Sequence, residues 1–286
     1  MKYEYQPSPG KLSFEKSIEI LKERVQNQIA IGAINNTGPK CTSAVCEGLK
    51  DLGIPVDTLY ISRLQYLLYI FRAEYKRRYP NYYFDNFYEK SLEHFLSYKL
   101  MDLKKGDNFI DIASEHSPIP EIFHRLTGCT SYSQDIMYDS GVHEYRIGCD
   151  AADIPVQNGF FKGAIATCSI EHFETDSDIR FMNEIGRLLV QGGKVVIVPL
   201  YLYSEEACQT DPIYAVQGRV QFDSNAVVYC TKDWGNRHGR FYSPGSLYAR
   251  LIKPNKNMSF KVHILDNPEV IDDSVYCKFI LEGTKI

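Results

Sequence analysis

The feature that most constrains the fold is an alternation of short apolar runs with helical patterns after residue 106. Apolar runs of this kind, separated by helices, are typical of parallel strands in a sheet that helices cover on both faces. Two further runs near the end of the chain indicate an antiparallel pair. The expected strands are residues 109–113, 129–135, 163–170, 194–200, 259–266 and 276–283, and the expected helices lie near 119–127, 176–189 and 243–252. The sequence therefore predicts an α/β fold with a mostly parallel sheet.

The first 104 residues differ in texture, because apolar residues recur there at helical rather than strand spacing. In the third predicted helix Leu64, Leu67, Leu68 and Phe71 lie on one side, and Pro80 follows its end. The four helices are expected near 13–29, 41–52, 57–78 and 85–101. We therefore predict a helical N-terminal extension or lid over residues 1–104, a main domain over 105–286, and a substrate-side insertion at 201–242.

Composition narrows the class of protein. The net charge is −4 and the isoelectric point is near 6.0, which disfavours nucleic acid as the main partner. The eight cysteines show no zinc-type spacing, so we expect no metal and a reduced, cytoplasmic setting. The opening MKYEYQPSPGK lacks the apolar core of a signal peptide, and no apolar stretch is long enough for membrane insertion.

Three aspartates lie in the first two predicted strands or in the loop that follows the second. Asp111 belongs to the first strand of the alternating region, and Asp135 closes the second. A carboxylate at such a position can accept hydrogen bonds from both hydroxyls of a ribose. Asp150 lies in the loop GCDAADIP. Each aspartate alone could equally begin a turn or cap a helix, so the interpretation depends on their order along the chain.

In this order the blocks FIDIASEHSP, SYSQDIMY, GCDAADIPVQNGFF and MNEIGRLLVQGGKVVIVPL resemble the class I S-adenosylmethionine-dependent methyltransferases. The resemblance covers residues 106–200 well and the last strands loosely, and it does not cover residues 1–100. It implies a Rossmann-like, seven-stranded sheet with an antiparallel last strand, S-adenosylmethionine as cofactor, and methyltransferase activity. The cofactor-binding residues that it implies are Asp111, Ala113, Ser114, Glu115, Asp135, Ile136, Asp150, Ala151, Ala152 and Cys168.

The loop after the first of these strands departs from the family pattern, which has glycines that let the backbone approach the cofactor. Ala113, Glu115 and Ser117 stand at those positions. Glu115 adds bulk and negative charge, but the cofactor carries an ammonium and a sulfonium, which a carboxylate does not repel. We therefore expect the cofactor still to bind, with Asp111 or Glu115 accepting from the ammonium.

The acceptor is sought near two regions. His172 follows the predicted strand at 163–170 and is the first candidate for a general base, although it could instead only shape its loop; His238 is the second candidate. The 201–242 insertion combines aromatic faces with arginine forks, which suit a sugar, phosphate or carboxylate, or else simply pack against the sheet. Its candidate substrate-binding residues are Tyr201, Trp234, Arg237, Arg240 and Tyr242.

The favoured function is methyl transfer to a small-molecule or saccharide acceptor, with oxygen favoured as the acceptor atom. One alternative is a catalytically silent, methyltransferase-like subunit that binds a partner, which the glycine-free loop would favour. Another is an RNA or protein methyltransferase, since tyrosines around Lys76, Arg77 and Arg78 could stack on bases. The acidic total charge weighs against RNA.

Overall fold

A computed structural model describes residues 12–82 and 86–286. Its helices are α1 (Phe14–Arg24), α2 (Pro39–Asp51), α3 (Arg63–Ala73), α4 (Tyr75–Arg78), α5 (Phe87–Met101), α6 (Ile119–Thr127), α7 (Ser177–Leu188), α8 (Pro212–Gly218) and α9 (Pro244–Leu247). Its strands are β1 (Ile29–Ile31), β2 (Val56–Leu59), β3 (Asn108–Ile112), β4 (Thr130–His143), β5 (Arg146–Gly148), β6 (Phe161–Thr167), β7 (Leu189–Val198), β8 (Ala207–Thr210), β9 (Val227–Cys230), β10 (Gly239–Phe241), β11 (Met258–Leu265) and β12 (Phe279–Lys285).

The chain forms two compact units. The first contains the described parts of residues 1–53 together with 170–180 and 201–254. The second contains the described parts of residues 54–169 together with 181–200 and 255–286. The boundary predicted after residue 104 therefore falls inside the second unit, and the predicted insertion at 201–242 falls in the first.

The second unit is built on an eight-stranded sheet in the order β2-β11-β12-β7-β6-β3-β4-β5. Strand β12 is antiparallel to both β7 and β11, and the other pairings are parallel. The α/β sheet with an antiparallel last strand is confirmed. The eighth strand, β2, comes from residues predicted as the start of a helix; pairing with β11 overrides the local pattern there.

The core of the second unit lies between this sheet and the helices packed on it. Leu92, Phe95 and Leu96 of α5 belong to the same buried cluster as Phe109 of β3 and Ile165 of β6. Strands such as β3 and β7 are buried along most of their length, as continuous apolar runs require. Apolar side chains of α5 thus cover one face of the sheet at β3 and β6.

Helix α3 buries the side opposite to the one that its apolar spacing predicted to be buried. Leu64 and Phe71 are 68% and 81% exposed, whereas Tyr66 and Tyr69 are buried. The tyrosines can be buried because their hydroxyls find partners: that of Tyr66 lies 2.7 Å from Ser91 Oγ. Periodicity alone could not distinguish these two sides, since both are apolar.

The first unit contains a four-stranded sheet in the order β1-β9-β8-β10. Strands β8, β9 and β10 come from the 201–242 segment, which we expected to be a substrate-side insertion. Strand β1 comes from the end of the predicted 13–29 helix and pairs in parallel with β9. Strands of three or four residues carry little local signal, because distant pairing stabilises them. Within the described residues, no helix is both long and apolar enough to cross a bilayer.

Candidate functional site

The order of strands in the second unit defines a crevice. From β3 the chain runs to β4 and β5 on one side, and then returns to place β6 on the other side of β3. Strands β3 and β6 are parallel neighbours, and Ile112 of β3 lies opposite Ala166 of β6 near their carboxyl ends. Open α/β sheets bind ligands outside the carboxyl ends of the strands at such a switch point. The candidate site is therefore flanked by the turn after β3 and by Cys168 after β6.

The turn after β3 has the conformation of a glycine turn without any glycine. Ala113 and Glu115 adopt positive φ angles of 51° and 45°, which cost non-glycine residues about 1–3 kcal/mol each. Two neighbouring residues of β4 stabilise them: Ala113 N–H donates to Gln134 Oε1 (3.2 Å), and Glu115 N–H donates to Asp135 Oδ2 (2.9 Å). Ser114 N–H also donates to the Gln134 carbonyl (2.9 Å). The side chain of Glu115 is exposed.

Asp111 lies beneath this turn and is fully buried. Its Oδ2 accepts a hydrogen bond from the Ser114 hydroxyl at 2.8 Å, and its Oδ1 has no hydrogen-bond partner among the described residues. Burial raises the pKa of Asp111 to about 7, with a contribution in the same direction from the charge of Asp135. A buried carboxylate without a cationic partner is costly, and a positively charged ligand would relieve that cost.

Asp135, the expected ribose ligand, already has backbone partners. Its Oδ2 accepts from Glu115 N–H (2.9 Å) and its Oδ1 from Met137 N–H (2.8 Å), and the residue is 6% exposed. Its immediate role is thus to order the turn after β3. Ile136 is 45% exposed, and β4 continues past it to His143, eight residues beyond the predicted end.

The loop expected to meet the adenine is a tight turn. Asp150 is exposed, and its Oδ1 accepts from Ala152 N–H at 2.9 Å, while Ala151 is buried. The alternative interpretation, an aspartate that orders its own turn, therefore describes at least part of its role. Gln134 Nε2 donates to the Cys149 carbonyl at 2.6 Å, so this loop and the turn after β3 are both anchored on Gln134.

Four polar candidates lie together in the first unit. His172 Nδ1 lies 2.5 Å from the His238 carbonyl oxygen, so Nδ1 carries the proton and Nε2 is the basic nitrogen. The rings of His172 and Trp234 are 6.4 Å apart. Arg237 forms an ion pair with Glu174 at 2.6 Å. The second candidate base, His238, is fully buried, and burial together with nearby cations lowers its pKa to about 3, which makes it a weak base.

Arg240 and Tyr242 are engaged inside the first unit. The guanidinium of Arg240, 1% exposed, donates to both oxygens of Asp223 and to two backbone carbonyls, and it forms an ion pair with Asp178 at 3.3 Å. Tyr242 is fully buried, and its hydroxyl donates to Asp178 at 2.8 Å. Four of the five N–H donors of the guanidinium make these hydrogen bonds, and Nη1 also faces Asp178. Arg240 is thus held by groups of the first unit, whereas Tyr201 is half-buried.

Comparisons with known proteins find structural likeness without sequence likeness. No protein-family model matches the chain, and no curated protein matches it. A methyltransferase from Burkholderia thailandensis that acts on N1 of 1,6-didemethyltoxoflavin is 13% identical over 81% of this chain and 93% of that chain, with a TM-score of 0.47. An S-adenosylmethionine-dependent methyltransferase from Mesorhizobium loti is 12% identical over 68% and 98%, with a TM-score of 0.46. The match to MccD protein covers 54% of that chain, with a TM-score of 0.34.

Likenesses of this order carry no substrate or residue role to the present chain. The architecture itself decides the fold: seven strands in a mostly parallel sheet, with the last strand, β12, inserted antiparallel between β7 and β11. This is the class I methyltransferase fold. Strand β2 extends the methyltransferase sheet by one strand beside β11. All of the predicted cofactor residues lie in the unit that contains this sheet, and all of the predicted catalytic and substrate-binding residues lie in the first unit.

Helix α5 carries a buried polar cluster that the sequence did not predict as part of the site. Lys90 Nζ lies 3.1 Å from both carboxylate oxygens of Glu93 and contacts Cys168 Sγ. Glu89 and Glu93 are fully buried, and Lys90 is 7% exposed. The only signal in the sequence is the placement of EKSLEH within an otherwise apolar helix, where charged residues would ordinarily be assigned to a solvated face. The cluster lies directly against the residue that follows β6.

Proposed function

We propose that the protein transfers a methyl group from S-adenosylmethionine to a small-molecule acceptor. The observation that carries the proposal is Asp111: a fully buried carboxylate with one unpartnered oxygen, under a left-handed turn at the switch point of the sheet. Among nucleoside-type ligands that bind such a crevice, S-adenosylmethionine is distinguished by the positive charge of its ammonium and sulfonium groups. It would supply an electrophilic methyl group.

The charges around the crevice favour this ligand over a dinucleotide. Asp111, Glu115 and Asp135 are all acidic. Carboxylates at this position would repel a pyrophosphate, which needs N–H donors and a helix N-terminus. The ammonium of the methionine moiety would instead be held by Asp111, with the Ser114 hydroxyl as a further polar partner.

The remaining cofactor contacts are proposed at the ends of β4 and β5. Asp135 would hold the ribose through the second lone pair of an oxygen that now accepts a backbone N–H, beside Ile136. Asp150, Ala151 and Ala152 would meet the adenine. Cys168 would line the crevice from the β6 side.

For the acceptor, the proposal rests on the geometry within the first unit. His172 is the candidate base there, because contact with the His238 carbonyl leaves Nε2 to accept a proton. Trp234 and Arg237 would provide an aromatic face and a cation, as a sugar hydroxyl, carboxylate or phosphate requires. Transfer to oxygen of a saccharide-type molecule remains the preferred form of the reaction.

A second candidate function is a silent methyltransferase-like subunit that binds a partner protein. The observation in its favour is Asp135, whose two oxygens are already used by backbone N–H groups of the same chain. A turn stabilised in this way needs no ligand to hold its shape.

Calorimetric titration with S-adenosylmethionine distinguishes the two functions, with NAD as the control ligand. The enzyme should bind S-adenosylmethionine at one site and should not bind NAD. Saturation at about 100 times the dissociation constant should raise the unfolding free energy by about 2.7 kcal/mol. No heat and no gain in melting temperature at millimolar S-adenosylmethionine would contradict the proposed enzyme and favour the silent subunit.

A further inference from the structure

The residue after β6 belongs to a proton-sharing group. Cys168 Sγ lies 3.2 Å from Glu93 Oε1, and Lys90 Nζ contacts both atoms of this pair. Because one ammonium faces two bases that can each hold a proton, the proton resides on either sulfur or oxygen and Lys90 compensates the charge of the other. A thiol next to a lysine ammonium ionises more readily than a free one.

A second buried carboxyl, that of Glu89, lies close to this pair and influences the pKa of Glu93. Glu89 Oε2 accepts from the backbone N–H groups of Tyr276 (2.8 Å) and Cys277 (3.2 Å), while its buried Oε1 has no partner among the described residues. Burial raises the pKa of Glu93 to about 8, against the ammonium of Lys90 and in the same direction as the charge of Glu89. Glu93 therefore competes with Cys168 for the proton between them, and Lys90 contacts both groups and can stabilise whichever of them is ionised.

The position and backbone of Cys168 suit a functional thiol. It follows β6 at the switch-point crevice, it is partly exposed, and it adopts a φ of 44°, which is unfavourable for a residue with a side chain. Residues held in such conformations are concentrated at functional sites. Residues 12–82 and 86–286 contain no group of three or more potential metal ligands.

We propose that Cys168, positioned by Lys90 and Glu93, takes the place of His172 as the proton acceptor for a hydroxyl- or amine-bearing substrate bound at the β6 side of the crevice. This rests on the proposed methyl transfer. The Cys168 thiolate takes the proton of the acceptor as the acceptor oxygen or nitrogen bonds to the methyl carbon and the carbon–sulfonium bond breaks. The thiolate and the sulfonium are both neutralised, so charge and protons balance. The new thiol proton passes to Glu93 when that carboxyl is ionised, or to water.

Thiol alkylation measures this group without knowledge of the acceptor. The full-length protein is treated with iodoacetamide between about pH 6 and 9, and the modification of each cysteine is followed by peptide mass spectrometry. Cys41 is the internal control, because it is also partly exposed and burial raises its pKa. At pH 7, Cys168 should react at least about tenfold faster than Cys41, and its rate should level off at lower pH.

Two variants distinguish an effect of Lys90 and Glu93 on the ionisation of the Cys168 thiol from an effect on its packing. Lys90→Met should slow Cys168 about tenfold at pH 7 and leave Cys41 unchanged. Glu93→Gln removes the competing base but keeps the ammonium, so Cys168 should stay reactive or gain reactivity. A merely structural cluster would lose Cys168 reactivity to a similar extent in both variants. Circular dichroism verifies that each variant is folded.

Equal, ordinary pH profiles for Cys168 and Cys41 in the wild-type protein would overturn the inference. S-adenosylhomocysteine provides the link to the crevice, since its binding should slow alkylation of Cys168 but not of Cys41. If calorimetry shows that S-adenosylhomocysteine binds and Cys168 is not protected, the inference fails while the proposed function stands. If no binding is found, the proposed function fails, whatever the reactivity of the thiol.

Discussion

Replacing Asp111 by asparagine is expected to stabilise the protein above pH 7 while weakening its affinity for S-adenosylmethionine. Asparagine keeps the shape of the buried side chain but removes a charge that the interior does not compensate. The pKa of Asp111 rises from 3.8 to about 7 on folding, which corresponds to about 4 kcal/mol of unfolding free energy. The unfolded state loses its proton first, so wild-type stability falls as pH rises from about 4 to 7 and stays low above pH 7.

The assay is urea unfolding of the wild-type protein and of Asp111→Asn at several pH values, followed by circular dichroism. The difference in unfolding free energy should be small near pH 4 and grow by up to about 1.4 kcal/mol per pH unit until pH 7. Asp102→Asn is the matched control, since the Asp102 side chain is 82% exposed. Parallel pH profiles for the wild-type protein and Asp111→Asn would refute the buried, uncompensated carboxylate.

Three further changes test the surrounding framework. Arg240→Met removes one of the two arginines that pair with Asp178 and Asp223 and leaves only Arg250 beside them, so it should lower the unfolding free energy by roughly 3 kcal/mol in urea titrations; a loss below about 1 kcal/mol would contradict the buried network. The side-chain hydrogen bonds of His263 and Lys194 lower the pKa of Glu282 to about 2 despite its burial, so the stability that it contributes should be present above about pH 4.5 and disappear as pH falls towards 2; Glu282→Gln should abolish that part of the acid transition. A Cβ at Gly148 would lie 1.9 Å from a backbone carbonyl oxygen of residue 139, so Gly148→Ala should lower the melting temperature by several degrees, and an unchanged value would show that the β4 extension is not packed against β5.

The alternating part of the chain was predictable because its local pattern and its tertiary environment agree. Strands β3, β6 and β7 are buried on both faces, and continuous apolar runs are what such strands require. Helix α6 occupies the predicted residues 119–127, since Gly128 with its φ of 76° ends it. For α6 the local pattern is enough to fix both the type and the limits of the element, whereas β4 runs to His143 and β7 begins at Leu189, beyond their predicted limits.

Other features depend on contacts that no local pattern contains. Strands β1 and β10 have three residues each and exist through pairing with distant segments. The left-handed conformation of Glu115 depends on Gln134 and Asp135, twenty residues away, rather than on glycine. The ionic group on α5 was equally hidden, because a lysine between two glutamates ordinarily indicates a solvated helix face, and only burial against Cys168 changes its meaning.

The central claim is that a glycine-free turn over Asp111 seats a cationic nucleoside at the switch point of the sheet. Equilibrium dialysis with radiolabelled S-adenosylmethionine at about pH 7.5, using the wild-type protein and Asp111→Asn, measures it most directly. The expected result is one saturable site in the wild-type protein and an affinity weakened by roughly tenfold or more in the variant, as the loss of a charge-assisted hydrogen bond predicts. Equal affinities in the two proteins, or no binding to the folded wild-type protein, would contradict the claim.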